Sequence, residues 1–304
     1  MMDHDLERLV RDIVTGVLEA DAPAASTKAA PVRTTTILPQ RPLKAPADPL
    51  AIKVASWLGA PRYLAPATGE WRPQGDRAFY LSTTPARLGI GRVGTRYRTA
   101  SVLTFLRDHA TARDAVASVI DPEVIRSMAL IPLPSAAHDK REFLLFPMRG
   151  RQLGPDAEAI LRQKGVRSPQ VQIVVADGLS ATAINVNLPL ILPALIQELQ
   201  RAGVRIGTTF VVTNGRVAIG DPIAQALDAE VLCMLVGERP GLKTAESVGA
   251  YVTYSRVRDL NESMRYMISN IHKDGLVPEE GARQIAALCI KALREKRTGV
   301  DMTP

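Results

Sequence analysis

Three short stretches of this 304-residue chain join glycine to polar or charged side chains directly behind a β-branched run. They are Asp177-Gly178-Leu179-Ser180 after "VQIVVA", Asn214-Gly215-Arg216-Val217 after "TTFVVT", and Gly237-Glu238-Arg239-Pro240-Gly241 after "EVLCMLV". Glycine lets backbone approach a ligand closely, and the carboxylate, amide and guanidinium groups supply both acceptors and donors. In an open α/β sheet, ligands sit beyond the carboxyl ends of the strands, where loops and helix N-termini converge. A single turn of this kind serves equally well as a helix cap. Three on one edge describe a binding rim.

Other spacings point to chemistry that their context denies. Gly89, Gly91 and Gly94 satisfy G-x-G-x-x-G, but Pro85 and the polar "STTPAR" stand where the preceding strand is needed. Ser180 follows a strand as a hydrolase nucleophile would, yet Thr182 occupies the glycine position of G-x-S-x-G, and no histidine is clearly paired with an acid. "SNIHKDG" places Asn270, His272 and Gly275 one residue from the Asp-x-His-x-x-Gly signature with which some cobalamin proteins ligate cobalt. An amide at Asn270 is a poor substitute for the carboxylate that raises imidazole basicity toward a metal. In "GRVGTRYRT", Arg92, Arg96 and Arg98 group guanidinium forks near a helix start, suited to a phosphate, a carboxylate or an acidic partner surface. Cys233 and Cys289 lie in apolar surroundings and read as buried free thiols.

The elements that must position these turns follow from periodicity. Residues 3–20 carry Leu6, Leu9, Val10, Ile13, Val14 and Val17 at helical intervals, one apolar stripe that needs a surface to lie on. Residues 21–50 are rich in Pro and Ala, the composition of an extended linker. Residues 51–155 form a mainly helical region with helices expected at 50–58 and 99–119. From 156 to 304 the pattern alternates. Helices are expected at 156–164, 188–202, 221–228 and 279–296, and strands at 171–176, 208–212, 230–236 and 250–255. Alternation of this kind predicts an α/β domain built on a doubly wound, mostly parallel sheet. The net charge of +7 admits an acidic partner or nucleic acid, although aromatics at 4% supply few stacking platforms for bases. A basic nucleic-acid-binding α/β protein is the alternative reading. No uninterrupted apolar run approaches a membrane span and the start lacks a secretion-signal pattern, so a cytoplasmic protein without a membrane partner is expected.

At "GRVGTRYRTASVLTFLRDHATARDAV", "VQIVVADGLSATAINVN", "GRVAIGDPIAQALDAEVLCMLVGERPGL" and "ISNIHKDG" the chain closely resembles the small (light) subunit of ethanolamine ammonia-lyase. The resemblance runs from about residue 84 to 303 and implies a Rossmann-like domain that lies against adenosylcobalamin. It implies radical deamination of ethanolamine to acetaldehyde and ammonia, with the substrate held by a large subunit in a hetero-oligomer of six of each chain. It places cofactor contacts on Val217, Glu238 and Met267, assigns no catalytic residue or metal ligand to this chain, and expects no nucleic acid partner. Where the family has cysteine, this chain has Met267, and Lys243 adds a charge beside the third turn. The benzimidazole of the cofactor stays on cobalt in this family, consistent with Asn270 in place of Asp. The resemblance also implies that the helix at 1–20 docks to the shell of a bacterial microcompartment.

Overall fold

The structure is a computed structural model that describes residues 86–87, 90, 92–257 and 261–299. The expected helix at 3–20, the linker at 21–50 and the helix at 50–58 lie outside the described residues. The chain divides into two compact units, one of Met1–Tyr80 with Arg87–Tyr97 and one of Leu81–Ala86 with Arg98–Pro304. In the first, β1 (Arg92–Val93) and β2 (Arg96–Tyr97) pair antiparallel around Gly94, whose φ of +61° a side chain would resist. Arg92 lies over the Tyr97 ring at 4.8 Å. A hairpin therefore stands where a dinucleotide fingerprint would need a strand leading into a helix.

The second unit is built on one six-stranded sheet in the order β3-β5-β4-β6-β7-β8. These strands are β3 (Ile131–Pro134), β4 (Val171–Ala176), β5 (Phe210–Thr213), β6 (Val231–Gly237), β7 (Val248–Tyr254) and β8 (Tyr266–Ile271). The first four in the order are parallel, and β7 and β8 are added antiparallel. The mostly parallel α/β sheet expected from the sequence is present, with two differences. The strand predicted at 250–255 runs against its neighbour, because the short connection from Gly237 to Val248 carries no crossover helix. Two strands escape periodicity altogether. "IPLP" contains two prolines that suit only an edge position, and "YMISNI" interleaves polar residues on a mostly exposed edge.

Helices cover both faces. On one, α5 (Ala181–Arg201) and α7 (Pro278–Glu295) pack over Val171, Ile173, Val175, Cys233 and Leu235, with α2 (Pro122–Ser127) beside them. On the other, α4 (Ala157–Lys164) and α6 (Gly220–Leu227) cover Val174, Ala176, Phe210, Leu232 and Met234. The strict alternation along β4 and β6 assigns each residue to one face or the other, and full burial on both faces explains why β6 is apolar throughout and β4 is interrupted only by Gln172, whose amide donates to the Ile173 and Thr208 carbonyls. The remaining helices are α1 (Thr99–Ala117) and α3 (Lys140–Leu145).

Helix α5 begins seven residues earlier than periodicity predicts. Ser180 caps it, its hydroxyl accepting from the Ala183 N–H at 3.2 Å. Pro189 and Pro193 sit inside the helix, where each removes one backbone hydrogen bond and disguises the pattern. Among the described residues α5 has the length and hydropathy to cross a membrane, but Ile184, Leu188, Ile191, Leu195 and Leu199 are fully buried against the sheet and α7. It is a core helix here. Cys233 on β6 and Cys289 on α7 share that core as buried free thiols, as expected. A hydrogen bond from the Cys289 thiol to Cys233 and full burial push the Cys289 thiol well up from its ordinary value.

Candidate functional site

All three glycine-bearing turns converge on one open cleft of about 490 Å3 beyond the carboxyl ends of β4, β5 and β6. Its lining includes Gly178 and Leu179 from the first turn, Gly215, Arg216 and Val217 from the second, and Gly237, Glu238 and Arg239 from the third. The antiparallel strands complete the wall with Tyr251 from β7 and Met267 from β8, which stand opposite each other in register. Val217, Glu238 and Met267 thus border one space although fifty residues separate the first from the last. Phe143 from α3 closes one side. Phe143 and Tyr251 carried no sequence signal, since each reaches the cleft through tertiary packing of a distant element.

The turn after β4 is the floor. Asp177 is 2% exposed, its carboxylate accepting from Lys140 Nζ at 2.9 Å and from the Gly215 N–H at 3.2 Å. Lys140 also donates to the Gly178 carbonyl at 3.2 Å. One buried carboxylate therefore ties the first turn to the second and to α3. Gly178 has φ +54° and passes so close to β6 that a Cβ would collide with the Gly237 carbonyl. Gly237 is hemmed in reciprocally by the carbonyls of Ser180 and Asp177. The Leu179 N–H closes this contact by donating to the Gly237 carbonyl at 3.0 Å. The Ser180 hydroxyl is spent between its cap and the Ala245 carbonyl, to which it donates at 2.6 Å, so it is no nucleophile.

Glu238 does the corresponding job on the other side while remaining on the cleft surface. Its carboxylate accepts from Ser247 Oγ and Ser269 Oγ, each at 2.5 Å, and from the Asn270 N–H at 3.2 Å. A carboxylate has about four acceptor positions, so one remains for a ligand donor. Burial, with the negative charge of Glu238 second, pushes the Tyr251 hydroxyl up from its ordinary value and keeps it a proton donor. Met267 is 49% exposed and offers an adaptable thioether.

Arg216 lies over the Phe143 ring at 4.3 Å and donates to the Phe143 carbonyl at 3.2 Å, with Lys140 over the same ring at 4.9 Å. Burial first, then the positive charges of Arg151 and Arg239, lowers its pKa from the usual guanidinium value. His272 lies apart from the cleft and is 4% exposed. One ring nitrogen accepts from the Asp274 N–H at 3.2 Å and the other meets Asn270 Oδ1 at 2.8 Å, so both are occupied in a tight turn. Its role is structural.

The fold and cleft define an α/β protein with an open cleft, lined by both apolar and charged residues, on the carboxyl edge of a mostly parallel sheet. The family model described as ethanolamine ammonia-lyase light chain (EutC) matches residues 78–303. Relatives named ethanolamine ammonia-lyase small subunit include those of Clostridioides difficile (43% identical over 230 residues, 75% of this chain and 78% of the relative) and Fusobacterium nucleatum (42% over 223 residues, 73% and 76%). The one from Clostridium perfringens is 42% identical over 230 residues, with 75% and 78% covered. The chain belongs to the ethanolamine ammonia-lyase light-chain family, whose members are subunits of an ammonia-lyase enzyme.

Proposed function

We propose that this chain is the cofactor-contacting subunit of an adenosylcobalamin-dependent ethanolamine ammonia-lyase and that its cleft receives one side of the corrin. The observation that carries this reading is the convergence of Val217, Glu238 and Met267, from three separate elements, on a single cleft. The residues present fit such a group. Gly178, Gly215 and Gly237 bring backbone to the rim, their missing side chains letting the turns pack closely against the strands behind the cleft. Val217, Val236, Leu179 and Met267 supply apolar contact, and the free acceptor position of Glu238 suits the amide side chains that fringe a corrin. A cleft of about 490 Å3 matches a drug-sized ligand and holds only part of a corrin, so a second polypeptide covers the remainder.

When bound, the cofactor supplies a carbon radical able to take hydrogen from an unactivated carbon. This chain's part is to bind, to orient and to exclude water. Val217 and Met267 would offer the ring an apolar surface. Glu238 would accept a hydrogen bond from a fringe amide, and the Asp177 tie holds the floor of the cleft in place. The ethanolamine ammonium needs carboxylates around it, and the only cleft carboxylate lining this space among the described residues is Glu238, already engaged by three donors. Substrate is therefore held by the large subunit, in a complex of six of each chain in the cytoplasm. Residues 1–20 dock that complex in a bacterial microcompartment.

Co-expression with a large subunit tests the reading. The two chains are expected to copurify and to deaminate ethanolamine only with adenosylcobalamin. A complex that retains no cobalamin, or that is active without it, overturns it. Removal of residues 1–20 is expected to leave catalysis intact and abolish encapsulation; equal encapsulation of the shortened chain defeats the docking role.

A further inference from the structure

The amino end of the sheet, opposite the cleft, gathers cations. Arg162 and Lys164 close α4 and Arg201 closes α5, where a positive charge suits the negative end of a helix dipole. That account does not reach Arg167, Arg205 and Arg256, which stand in the loops that lead into β4, into β5 and out of β7. Hydrogen bonds stitch these loops together. Arg167 Nη1 donates to the Ala226 carbonyl at 2.6 Å and Arg205 Nη2 to the Ser168 carbonyl at 3.4 Å. Ser168 Oγ and Arg256 Nη2 both donate to Asp228 Oδ2, at 2.9 and 3.0 Å.

The charges at this end do not balance. Arg256 is paired with Asp228, and Arg201 with Glu198. Lys164, Arg167 and Arg205 are exposed and have no carboxylate within salt-bridge reach among the described residues. Glu230, half-buried just before β6, offsets one of these charges at most. Between Lys164 and Arg167 along the chain, Val166 is 50% exposed. An aliphatic contact beside cationic side chains is the composition of a protein-binding surface, where the apolar part excludes water and the charges select the partner. Arg167 and Arg205 are already held by their carbonyl contacts, so less side-chain freedom is lost when a partner arrives.

We propose that this face docks an acidic protein segment, one that presents carboxylates around an aliphatic side chain. The large subunit, which covers the cleft, is not this partner. β6 spans seven residues, which sets the two ends of the sheet about 20 Å apart, so the amino end faces away from the cleft. Nucleic acid fits less well, because Asp228 and Glu230 interrupt the cations where a continuous phosphate backbone would pass, and these loops carry no aromatic side chain on which a base could stack.

The test measures, at low salt, the fluorescence anisotropy of a labelled peptide of repeated Glu-Leu-Glu-Ala added to the complex with the large subunit. The same peptide with Gln in place of Glu, and a labelled DNA duplex, are the comparisons. The Glu peptide is expected to bind most tightly of the three and to weaken as salt rises. Lys164→Glu, whose ammonium takes no part in the loop contacts, and the double variant R167Q/R205Q are each expected to weaken it about tenfold. Val166→Ser is expected to weaken it about threefold, and all three variants keep full ethanolamine deamination. If loosened loops unfold R167Q/R205Q, Lys164→Glu decides alone. Unchanged peptide affinity in Lys164→Glu, tighter binding of DNA than of the Glu peptide, or loss of the large subunit from a folded variant, which would put this face in the subunit seam, overturns the inference.

Discussion

Asp177 and Glu238 follow the ends of neighbouring parallel strands, each beside a glycine, yet one carboxylate belongs to the fold and the other to the cleft. β4 lies between β5 and β6, so the turn that leaves it is enclosed on both sides and Asp177 is sealed against Lys140 and the Gly215 N–H. β6 has the antiparallel β7–β8 pair on one flank, and that pair ends level with the cleft. Glu238 is consequently braced from the side by Ser247 and Ser269 while its remaining face stays open. Position in the strand order, rather than residue type, decides which acid is structural. The chemistry is the same in both turns; the direction of the neighbours differs, β4 lying between two parallel strands and β6 between a parallel and an antiparallel one.

The contrast is broken most severely by filling the contact between the two turns. Gly237→Ala drives a methyl into the carbonyls of Ser180 and Asp177, and a loss of about 3 kcal/mol or more is expected from overpacking against backbone that cannot repack. Urea unfolding of the purified complex measures it, and a loss below about 1 kcal/mol would show that the turns are free to separate. Next in size, Asp177→Ala and Glu238→Ala are expected to diverge. The first strands Lys140, which is 21% exposed and can partly regain water, so about 2–3 kcal/mol of stability is lost. The second removes an acceptor from hydroxyls that reorient to water, costing about 1 kcal/mol, and instead weakens cobalamin binding about tenfold. Paired unfolding and cofactor titrations read both quantities; a reversed pattern would exchange the roles of the two acids. The smallest effect is expected at Met267→Cys, where half exposure keeps the stability change within about 0.5 kcal/mol. If contact is through backbone, cofactor affinity is unchanged; a gain in affinity assigns the contact to sulfur.

Much of this arrangement is readable from residues alone because β4 and β6 are buried on both faces and their runs are apolar but for Gln172. "VQIVVA" and "VLCMLV" admit no other use, and the turns behind them are marked by glycine with Asp, Asn or Glu. The family resemblance placed Val217, Glu238 and Met267, and the structure brings them to one lining. What sequence could not supply is partnership across distance. Nothing near Asp177 announces that Lys140, thirty-seven residues earlier, will neutralise it. Nothing near Asp221 announces Arg265, with which it pairs. The strands β3 and β8 were missed for a related reason. Edge strands are permitted prolines and polar residues that a central strand is not, so "IPLP" and "YMISNI" become strands only once a neighbour is there to pair with. Periodicity starts helix α5 too late because Pro189 and Pro193 imitate a boundary that packing against α7 overrides.

The paired thiols of Cys233 and Cys289 sit where α7 meets the sheet, Cys233 on the strand that ends at Gly237, one residue before Glu238. A thiol-labelling reagent reaches them only during excursions in which that helix lifts away. Labelling under native conditions is thus a clock for breathing of the core. Slowing of that clock when a ligand settles on the opposite end of β6 would register occupancy from behind, without any probe touching the cleft.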